Sequence, residues 1–575
     1  MTQVDAGHPE TRNAIGSSPR GARALVDRRL HSYPEAAARY RYLAITVLAT
    51  IVLYYQLYVQ GAVATKIITS FGMTFTQFVV VSIVGNLVGA FASLAAGLAD
   101  RWGRANLVVI GLFITGALVL FALPHAPDTL WYTIFFAILS IVEGMILVAT
   151  PALIRDFSPQ VGRAQAMGFW TMGPVLGSLV VTMVSSNTLD AHPDWRFQFY
   201  VCGVVGLIVA VIALFGLREL SPGLRDQLMV NLNERALIEA RARGLDTDIA
   251  LHGHWRQMLR VDIIGPAIAI SLFLMFYYIA VGFFVVYFAT TFGYSEARAN
   301  GLANWYWIAN AIALVVAGIV SDKIRVRKPL MAVGAAISIV GTAIFAMLST
   351  EPDTGYYTFA LVLVVIAVGG GIAYCAWMAS FTETVERHNP AATATGLAIW
   401  GWTVRITVTL ALTALAFVVP ATSTLVDQGS RVSHIVAEYP RQVETISAVE
   451  PATLAALAGN PQDRAAGAAA VAQLIGVGLA ATPQEAAERL QQLAGEPIPP
   501  ADQAYLAAHA ADVQQAEHDN PGQWKVWWWI CVVAQILFVP FIFVLSGRWS
   551  PRRARAEAAE HDRLVARELA ELRGT

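Results

Sequence analysis

Two charged residues lie where the chain is otherwise apolar. Glu143 is near the middle of the apolar stretch 130–153, and Arg405 is near the middle of the stretch 394–420. In a helix that rises 1.5 Å per residue, both would lie about 16–18 Å from the cytoplasmic end of their stretch. A charge at that depth costs at least ~2.5–3.5 kcal/mol on insertion scales, so such residues usually face a cavity, a partner or a solute path.

The chemistry of these two side chains suggests separate roles. Arginine presents a planar fork of donors that fits a carboxylate, so Arg405 is predicted to hold an anionic group. Glu143 is predicted to carry a proton, because burial favours its neutral form while a nearby arginine favours its charged form. The same two residues are also compatible with purely structural roles: a fixed buried ion pair, or separate hydrogen bonds from each side chain to helix backbones.

Composition places these residues in a membrane protein. Apolar residues make up 56% of the 575 residues and charged residues only 14%, which does not fit a soluble surface. A hydrocarbon core of ~30 Å takes about 20 helical residues to cross. Twelve stretches are long enough and are numbered here as spans 1 to 12: 43–65, 75–98, 105–123, 130–153, 165–186, 197–217, 263–290, 298–320, 329–349, 357–379, 394–420 and 524–546.

The arginine and lysine residues predict the orientation. They cluster before span 1, between spans 2 and 3, 6 and 7, and 8 and 9, and after span 12, whereas the alternate loops are nearly free of bases. By the positive-inside rule both termini are cytoplasmic, and "outer" below means the opposite side. The polar N-terminal tail predicts no cleavable signal peptide. Arginine outnumbers lysine nearly nine to one, a bias typical of G+C-rich coding that favours a bacterial inner membrane.

The second half of the chain repeats features of the first. The matching positions are separated by offsets of only 221 to 228 residues, which indicates duplication of a six-helix unit. The matches are Tyr54-Tyr55 with Tyr277-Tyr278, Phe71-Gly72 with Phe292-Gly293, Asp100 with Asp322, and Gly168 and Gly173 with Gly396 and Gly401.

The loop after span 2 carries the clearest motif. It reads Ala96-Gly97-Leu98-Ala99-Asp100-Arg101-Trp102-Gly103-Arg104, and the matching loop after span 8 reads Gly318-Ile319-Val320-Ser321-Asp322-Lys323-Ile324-Arg325. The first resembles the signature Gly-x-Leu-Ala-Asp-Arg-x-Gly-Arg-Arg of the major facilitator superfamily, with Ala96 for its first glycine and Ala105 for its last base. The second has Arg325 where glycine is expected.

The resemblance covers about 40–546 and implies an all-α membrane protein. Twelve transmembrane helices would form two six-helix bundles that rock about a central site. The chain's own composition, and not the resemblance, predicts a helical extracytoplasmic insertion between helices 11 and 12. The resemblance also implies that spans 4 and 5 close against spans 10 and 11 on the cytoplasmic side, so Glu143 and Arg405 would face each other. The predicted cytoplasmic gate motif consists of Gly97, Asp100, Arg101, Gly103, Arg104, Gly318, Asp322 and Lys323.

Span 5 contains a second, partial motif. The run Gly168 to Gly177 includes Gly173-Pro174, similar to the glycine-proline pattern of the family's exporters, but it lacks the earlier glycine at the usual spacing. The same residues could instead form a kink and a close helix contact.

Aromatic and amide side chains in the spans predict the wall of the central cavity. Tryptophan and tyrosine near span ends are often interfacial anchors instead, an alternative that applies to Trp307, Trp377 and Trp400. With Arg405, the predicted substrate-binding residues are Tyr54, Tyr55, Gln56, Asn86, Tyr277, Tyr278, Asn304, Trp305, Asn310, Tyr374 and Trp402.

Charge and hydropathy divide the chain into seven parts. They are a cytoplasmic tail 1–40, a bundle 41–217, a cytoplasmic linker 218–261, a bundle portion 262–420, an extracytoplasmic insertion 421–523, helix 12 at 524–546 and a cytoplasmic tail 547–575.

The insertion is rich in alanine and has twelve acids against four bases. Thr482-Pro483 reads as a helix start, with a capping residue followed by proline in the first turn. We expect a small helical domain that caps the outer vestibule, docks an envelope partner, or is merely solvated.

Several functional classes are disfavoured. Cys202, Cys375 and Cys531 fall in separate apolar segments, so they suggest neither disulfides nor a metal site. The sequence has no phosphate-binding loop with lysine, no His-Glu-x-x-His and no nucleophile elbow, so we expect neither an enzyme nor any cofactor, metal or nucleic acid.

The sequence favours a monomeric secondary transporter that couples protons to a small organic anion. The alternatives are a proton-driven exporter of drugs or hydrophobic compounds and, in a different class, a non-transporting sensor or envelope assembly factor.

Overall fold

A computed structural model describes residues 28–93, 103–158, 170–221, 224, 258–324, 326–388 and 393–553, with some positions between 555 and 567. The first half consists of long helices with short connections. A π-helical turn, Leu118–Ala122, and a 3-10 turn, Leu123–His125, extend the helix that begins at Arg104. The helices are α1 Ala36–Ala62, α2 Ala64–Phe71, α3 Phe75–Ser93, α4 Arg104–Ala117, α5 Thr129–Phe157, α6 Gly173–Thr188 and α7 Trp195–Gly216.

The second half repeats this arrangement and adds the insertion. Its first helices are α8 Val261–Phe273, α9 Met275–Phe292, α10 Glu296–Ile324, α11 Lys328–Leu348, α12 Tyr356–His388 and α13 Thr393–Val418. The remainder are α14 Pro420–Thr424, α15 Ser430–Glu438, α16 Pro440–Ala448, α17 Pro451–Gly459, α18 Arg464–Gly476, α19 Pro483–Gly495 and α20 Pro500–Val544, with a π-helical turn, Leu425–Gly429, after α14.

The described helices account for the predicted spans. Eleven are long and apolar enough to cross a membrane. The remaining predicted span, 165–186, begins outside the described residues, and α6 forms its described part. The predicted all-helical membrane fold is confirmed.

A two-residue parallel sheet joins the N-terminal segment to the end of the first bundle. β1 (Arg29–Leu30) pairs with β2 (Glu219–Leu220). Beside it, the buried Arg28 guanidinium donates hydrogen bonds to carbonyls at the end of α7, including that of Leu214. The last carbonyls of a helix have no partner within the helix, and a cation there is favourable. These hydrogen bonds hold the N-terminal segment against the end of α7.

The insertion contains short helices around a small core of its own. Its buried apolar side chains are Val449, Ala470, Leu474, Ala480 and Ala486. The Thr482 hydroxyl accepts a hydrogen bond from the Glu485 amide at 3.2 Å, which caps α19 as its sequence predicts. The predicted boundary at 523/524 is not a helix boundary, since it falls inside the 45-residue helix α20.

The two bundles pack together in their outer halves, where α1 lies against α9. A Cβ atom at Gly61 would lie 2.4 Å from the Val281 carbonyl oxygen, so only glycine permits this approach. The Asn300 amide donates to the Ala62 carbonyl at 2.9 Å. Four more polar contacts between the bundles also lie in the outer half, so the structure is closed on that side. They are Thr65 to Glu296 at 2.7 Å, Lys66 to Glu296 at 4.0 Å, Asn304 to Ser186 at 3.0 Å and the Phe75 amide to Asp427 at 2.7 Å.

Candidate central site

Glu143 lies at the middle of α5 and points into the protein. It is 1% exposed, and neither of its carboxylate oxygens has a hydrogen-bond partner within the described part of the chain. The nearby Ser140 hydroxyl is also buried and without a partner. An unpaired charge in such a place would be costly, so this carboxyl is suited to the neutral form and needs a partner whenever it ionises.

Arg405 reaches from the second bundle to the first. A Cβ atom at Gly89 would lie 2.6 Å from Arg405 Nη1, so the guanidinium rests on the bare backbone of α3. A Cβ atom at Gly144 would in turn lie 2.6 Å from the Gly89 carbonyl oxygen, which places α5 directly beside this contact. Arg405 and Glu143 are close enough for their charges to interact. The structure therefore brings the two predicted charges together from opposite bundles.

Tyrosines from three helices surround this pair. Tyr54 lies within electrostatic range of both charges and of Tyr278, and Tyr374 lies within range of Tyr54 and Tyr278. The rings of Tyr277 and Tyr278 are 5.1 Å apart and perpendicular. α1, α9 and α12 thus supply a wall of phenol groups that combines apolar surface with polar tips.

Tyr58 belongs to the same wall, although the sequence did not single it out. Its ring lies 5.4 Å from that of Tyr54, and its hydroxyl is within electrostatic range of Glu143. It also lines a small cavity of about 20 Å³ between the bundles, on the outer side of the site, with Ser178 and Asn300. That volume holds about one water molecule. Tyr54 and Tyr58 are one helical turn apart, and this spacing could have indicated from the sequence that they share one face of α1.

The other predicted wall residues make different contacts or are exposed. Tyr55 and Gln56, each 1% exposed, point into the first bundle, where Gln56 Nε2 would lie 2.0 Å from a Cβ atom at Gly206. Tyr54 and Tyr55 differ by 100° around the helix, so one faces the site while the other faces α7. The remaining positions are Asn86, which donates to the Ser82 carbonyl, Asn304, which donates to Ser186, Asn310, which donates to the Ala367 carbonyl, and Trp305 and Trp402, which are 46% and 43% exposed.

The cytoplasmic motif of the first bundle is described in part. Gly97, Asp100 and Arg101 lie outside the described residues. Gly103 precedes α4 with φ at 93°, a conformation that favours glycine. The Glu219 carboxylate accepts from the Arg104 amide at 2.6 Å, and the Arg104 guanidinium donates to both Asp156 oxygens at 2.8 and 2.9 Å.

The second bundle has an equivalent network. Arg327 forms ion pairs with Asp322 at 2.9 Å and with Glu383 at 3.2 Å. Burial lowers the pKa of Arg327, but these carboxylates outweigh burial and raise it above its usual value. Lys323 lies in the last turn of α10, and a Cβ atom at Gly318 would make an ordinary 3.6 Å contact with Cys375.

The two networks obey the internal repeat. Arg104 and Arg327 are 223 residues apart, and Asp156 and Glu383 are 227 apart, both within the offsets of the other matches. In each half the arginine lies at the start of the third span (α4 or α11) and the acid lies near the end of the fourth (α5 or α12). Asp156 and Glu383 were missed in the sequence because an acid at a span end gives no signal until its partner is known.

Curated proteins that resemble the chain include two that are named for export or drug resistance. The efflux pump radE of Floropilus chiversii is 24% identical over 188 residues, 31% of this chain and 34% of that protein. The quinolone resistance protein NorB of Staphylococcus aureus strain JH9 is 28% identical over 146 residues, 24% of this chain and 29% of that protein. Each match spans about a third or less of the relative's length.

Solved structures match over a larger part of the chain. A bacterial homologue of the human lysosomal transporter Spinster, inward-facing and occupied, has a TM-score of 0.56 at 16% identity, covering 88% of this chain and 97% of its own. The proton:xylose symporter XylE with 6-bromo-6-deoxy-D-glucose has a TM-score of 0.52 at 17% identity, covering 68% and 91%. These likenesses establish the fold. The sequence profile of the Major Facilitator Superfamily matches residues 46–406, more than half of the chain, and the chain belongs to that superfamily.

Proposed function

We propose that the protein is a secondary transporter that moves a small organic anion together with a proton through the site between Glu143 and Arg405. The observation that carries this proposal is the buried, unpartnered Glu143 carboxyl beside an arginine from the opposite bundle. The Glu143 carboxyl can take a proton, and the Arg405 guanidinium can hold an anion. The proposed location is a bacterial inner membrane with both termini cytoplasmic.

The tyrosine wall supports a substrate with an apolar or aromatic body. Tyr54 and Tyr278 lie within electrostatic range of the guanidinium, and Tyr58 and Tyr374 lie within electrostatic range of both of these tyrosines. An anion that carries a planar group would pair its charge with Arg405 and stack its body on these rings. We therefore propose aromatic and other hydrophobic monocarboxylates as the first substrates to test.

The proposed coupling has an electrical signature. One proton and one monovalent anion that cross together carry no net charge. A difference of one pH unit then supplies about 1.36 kcal/mol for each transported pair. A membrane potential acts on a net charge at ~2.3 kcal/mol per 100 mV, so it supplies nothing to a neutral pair. Uptake should therefore follow the pH gradient and ignore a potential imposed with potassium and valinomycin.

The first experiment measures internal pH in proteoliposomes that are challenged with a panel of monocarboxylates. Symport predicts that a substrate gradient acidifies the receiving compartment. Glu143→Gln should abolish this pH change and accumulation against a gradient, yet retain exchange of labelled for unlabelled substrate. Glu351→Gln makes the same chemical change at an exposed outer loop and should leave both activities intact. If proton-driven uptake survives in Glu143→Gln, Glu143 does not carry the coupling proton.

A second experiment tests the anion site. Arg405→Lys keeps the charge but loses the fork, so the KM for a carboxylate should rise about tenfold or more, while the thermal unfolding temperature stays within a few degrees. Arg431→Lys, on the exposed α15 of the insertion, is the matched control. An unchanged KM in Arg405→Lys would place the anion elsewhere.

The exporter alternative is supported by the similarity to radE and NorB. An exporter that exchanges an organic cation for a proton would use the tyrosine wall for cation–π contacts and Glu143 for charge. The same pH assay separates the two functions. A cationic compound that moves protons opposite to itself, with silence for every carboxylate, would favour export.

A further inference from the structure

The chain that follows α13 connects the second bundle to the outer end of the first. Residues 420–429, here called the clasp segment, comprise α14 and the π-helical turn Leu425–Gly429. Within it, the Asp427 carboxylate accepts a hydrogen bond from the Phe75 backbone amide at 2.7 Å. These residues are 352 positions apart and belong to different halves of the protein.

The contact is made at the start of α3. Thr74 caps this helix: its hydroxyl accepts from the Gln77 amide at 3.1 Å, and its own amide donates to Gln77 Oε1 at 2.8 Å. Phe75 is the first residue of the helix, so its amide has no partner within α3. Phe75 is 1% exposed, and Asp427 is therefore the acceptor that this buried donor needs.

The clasp segment is fixed to the second bundle. The Thr422 hydroxyl donates to Asn520 Oδ1 at 2.7 Å, and the Trp524 indole donates to the Thr422 hydroxyl at 2.9 Å. Asn520 is fully buried, and its amide nitrogen donates to the Thr291 hydroxyl at 3.0 Å at the outer end of α9. Ser423 donates to the second Asp427 oxygen at 3.1 Å, which sets the direction of the carboxylate.

These two attachments have a mechanical consequence. Asp427 moves with the second bundle because Thr422 and Asn520 hold it there, while Phe75 moves with the first. A rotation that separates the outer ends of the bundles must break the bond between Asp427 and Phe75. We propose that residues 420–429 act as a clasp that stabilises the outer-closed state, with Asp427 as the residue that crosses between the bundles. This inference rests on the bundle movement in the proposed function, but not on the identity of the solute.

The experiment measures the distance across the outer surface without any substrate. Nitroxide labels are placed at Ser70 in the first bundle and Asp353 in the second, both exposed. Cys375 is replaced by serine, whereas Cys202 and Cys531 are fully buried and stay unlabelled. Double electron–electron resonance in nanodiscs then gives the populations of outer-closed and outer-open molecules.

Asp427→Ala should lower the closed-to-open ratio about tenfold, which corresponds to about 1.4 kcal/mol. Asp427→Asn keeps an acceptor for the Phe75 amide and should stay closed, which also shows that the site tolerates substitution. Asp463→Ala is the matched control, because Asp463 caps α18 wholly within the insertion. Its distances should equal those of the parent.

If the parent protein is almost entirely closed, a tenfold change in the closed-to-open ratio would not be detected. Asp427→Ala is therefore also measured in a Glu296→Ala background. Glu296 forms two further polar contacts between the bundles at the outer surface, with Thr65 and Lys66. Asp427→Ala should again open the protein about tenfold there. Unchanged distances in both backgrounds would refute the clasp, and because no solute is present they would leave the proposed transport function untouched.

Discussion

Gly61 is the position where a single methyl group should act most strongly on the conformational equilibrium. In the outer-closed structure a Cβ atom there would lie 2.4 Å from the Val281 carbonyl oxygen and 3.1 Å from Gly282 Cα. Both are backbone atoms, so no side chain can move aside. Ordinary contact begins at 3.4 Å, so α1 and α9 must separate by about 1 Å in Gly61→Ala.

The cost has two parts. Overpacking of this kind costs about 1–3 kcal/mol. The adjacent hydrogen bond from Asn300 to the Ala62 carbonyl, now 2.9 Å, would be stretched beyond bonding distance, which removes about 0.5–1.5 kcal/mol. The higher helix propensity of alanine acts in both states and cancels. Gly61→Ala should therefore disfavour the outer-closed state by about 1.5–4.5 kcal/mol, roughly ten- to two-thousand-fold.

Gly282→Ala is the control, because a Cβ atom there would have no heavy atom within 4 Å although it lies on the facing helix. The spin labels at Ser70 and Asp353 measure both variants. Gly61→Ala should move the distance distribution to the open form and slow turnover, while Gly282→Ala should match the parent. The reasoning fails if Gly61→Ala keeps the closed distance, or if both variants shift equally.

Three further changes test other contacts. Gly89→Ala should displace the Arg405 guanidinium, because Nη1 lies 2.6 Å from the position of the added carbon. The KM for a carboxylate should rise severalfold while the unfolding temperature stays unchanged. Gly401→Ala adds a methyl group in open space and should change neither the KM nor the unfolding temperature. Asn520→Ala removes the hydrogen bonds of a fully buried side chain, and at about 1–3 kcal/mol per unsatisfied group it should lower the unfolding temperature by several degrees in a fluorescence melt. Burial raises the pKa of Asp427 by more than its hydrogen bonds lower it. Opening that exposes Asp427 to water would return its pKa toward the ordinary value, so the closed state would bind the proton more tightly. Closure should then increase as pH falls toward the raised pKa, and Asp427→Asn should remove this dependence in the distance measurement.

The sequence by itself determined the membrane class, the repeat and the depth of the two central charges. Hydropathy and position along a span are local properties, so Glu143 and Arg405 could be placed at one level before any helix was packed. The family signature in the loop after span 2 then gave the bundle arrangement that puts them on opposite sides of one site.

Only the tertiary structure decided which face of each helix meets the site. Tyr54 points to Glu143 and Arg405, whereas the adjacent Tyr55 points into the first bundle, because one residue rotates a helical side chain by 100° and packing sets the helix orientation. The bond between Phe75 and Asp427 was equally invisible, since a helix start needs an acceptor but does not specify which distant segment supplies it.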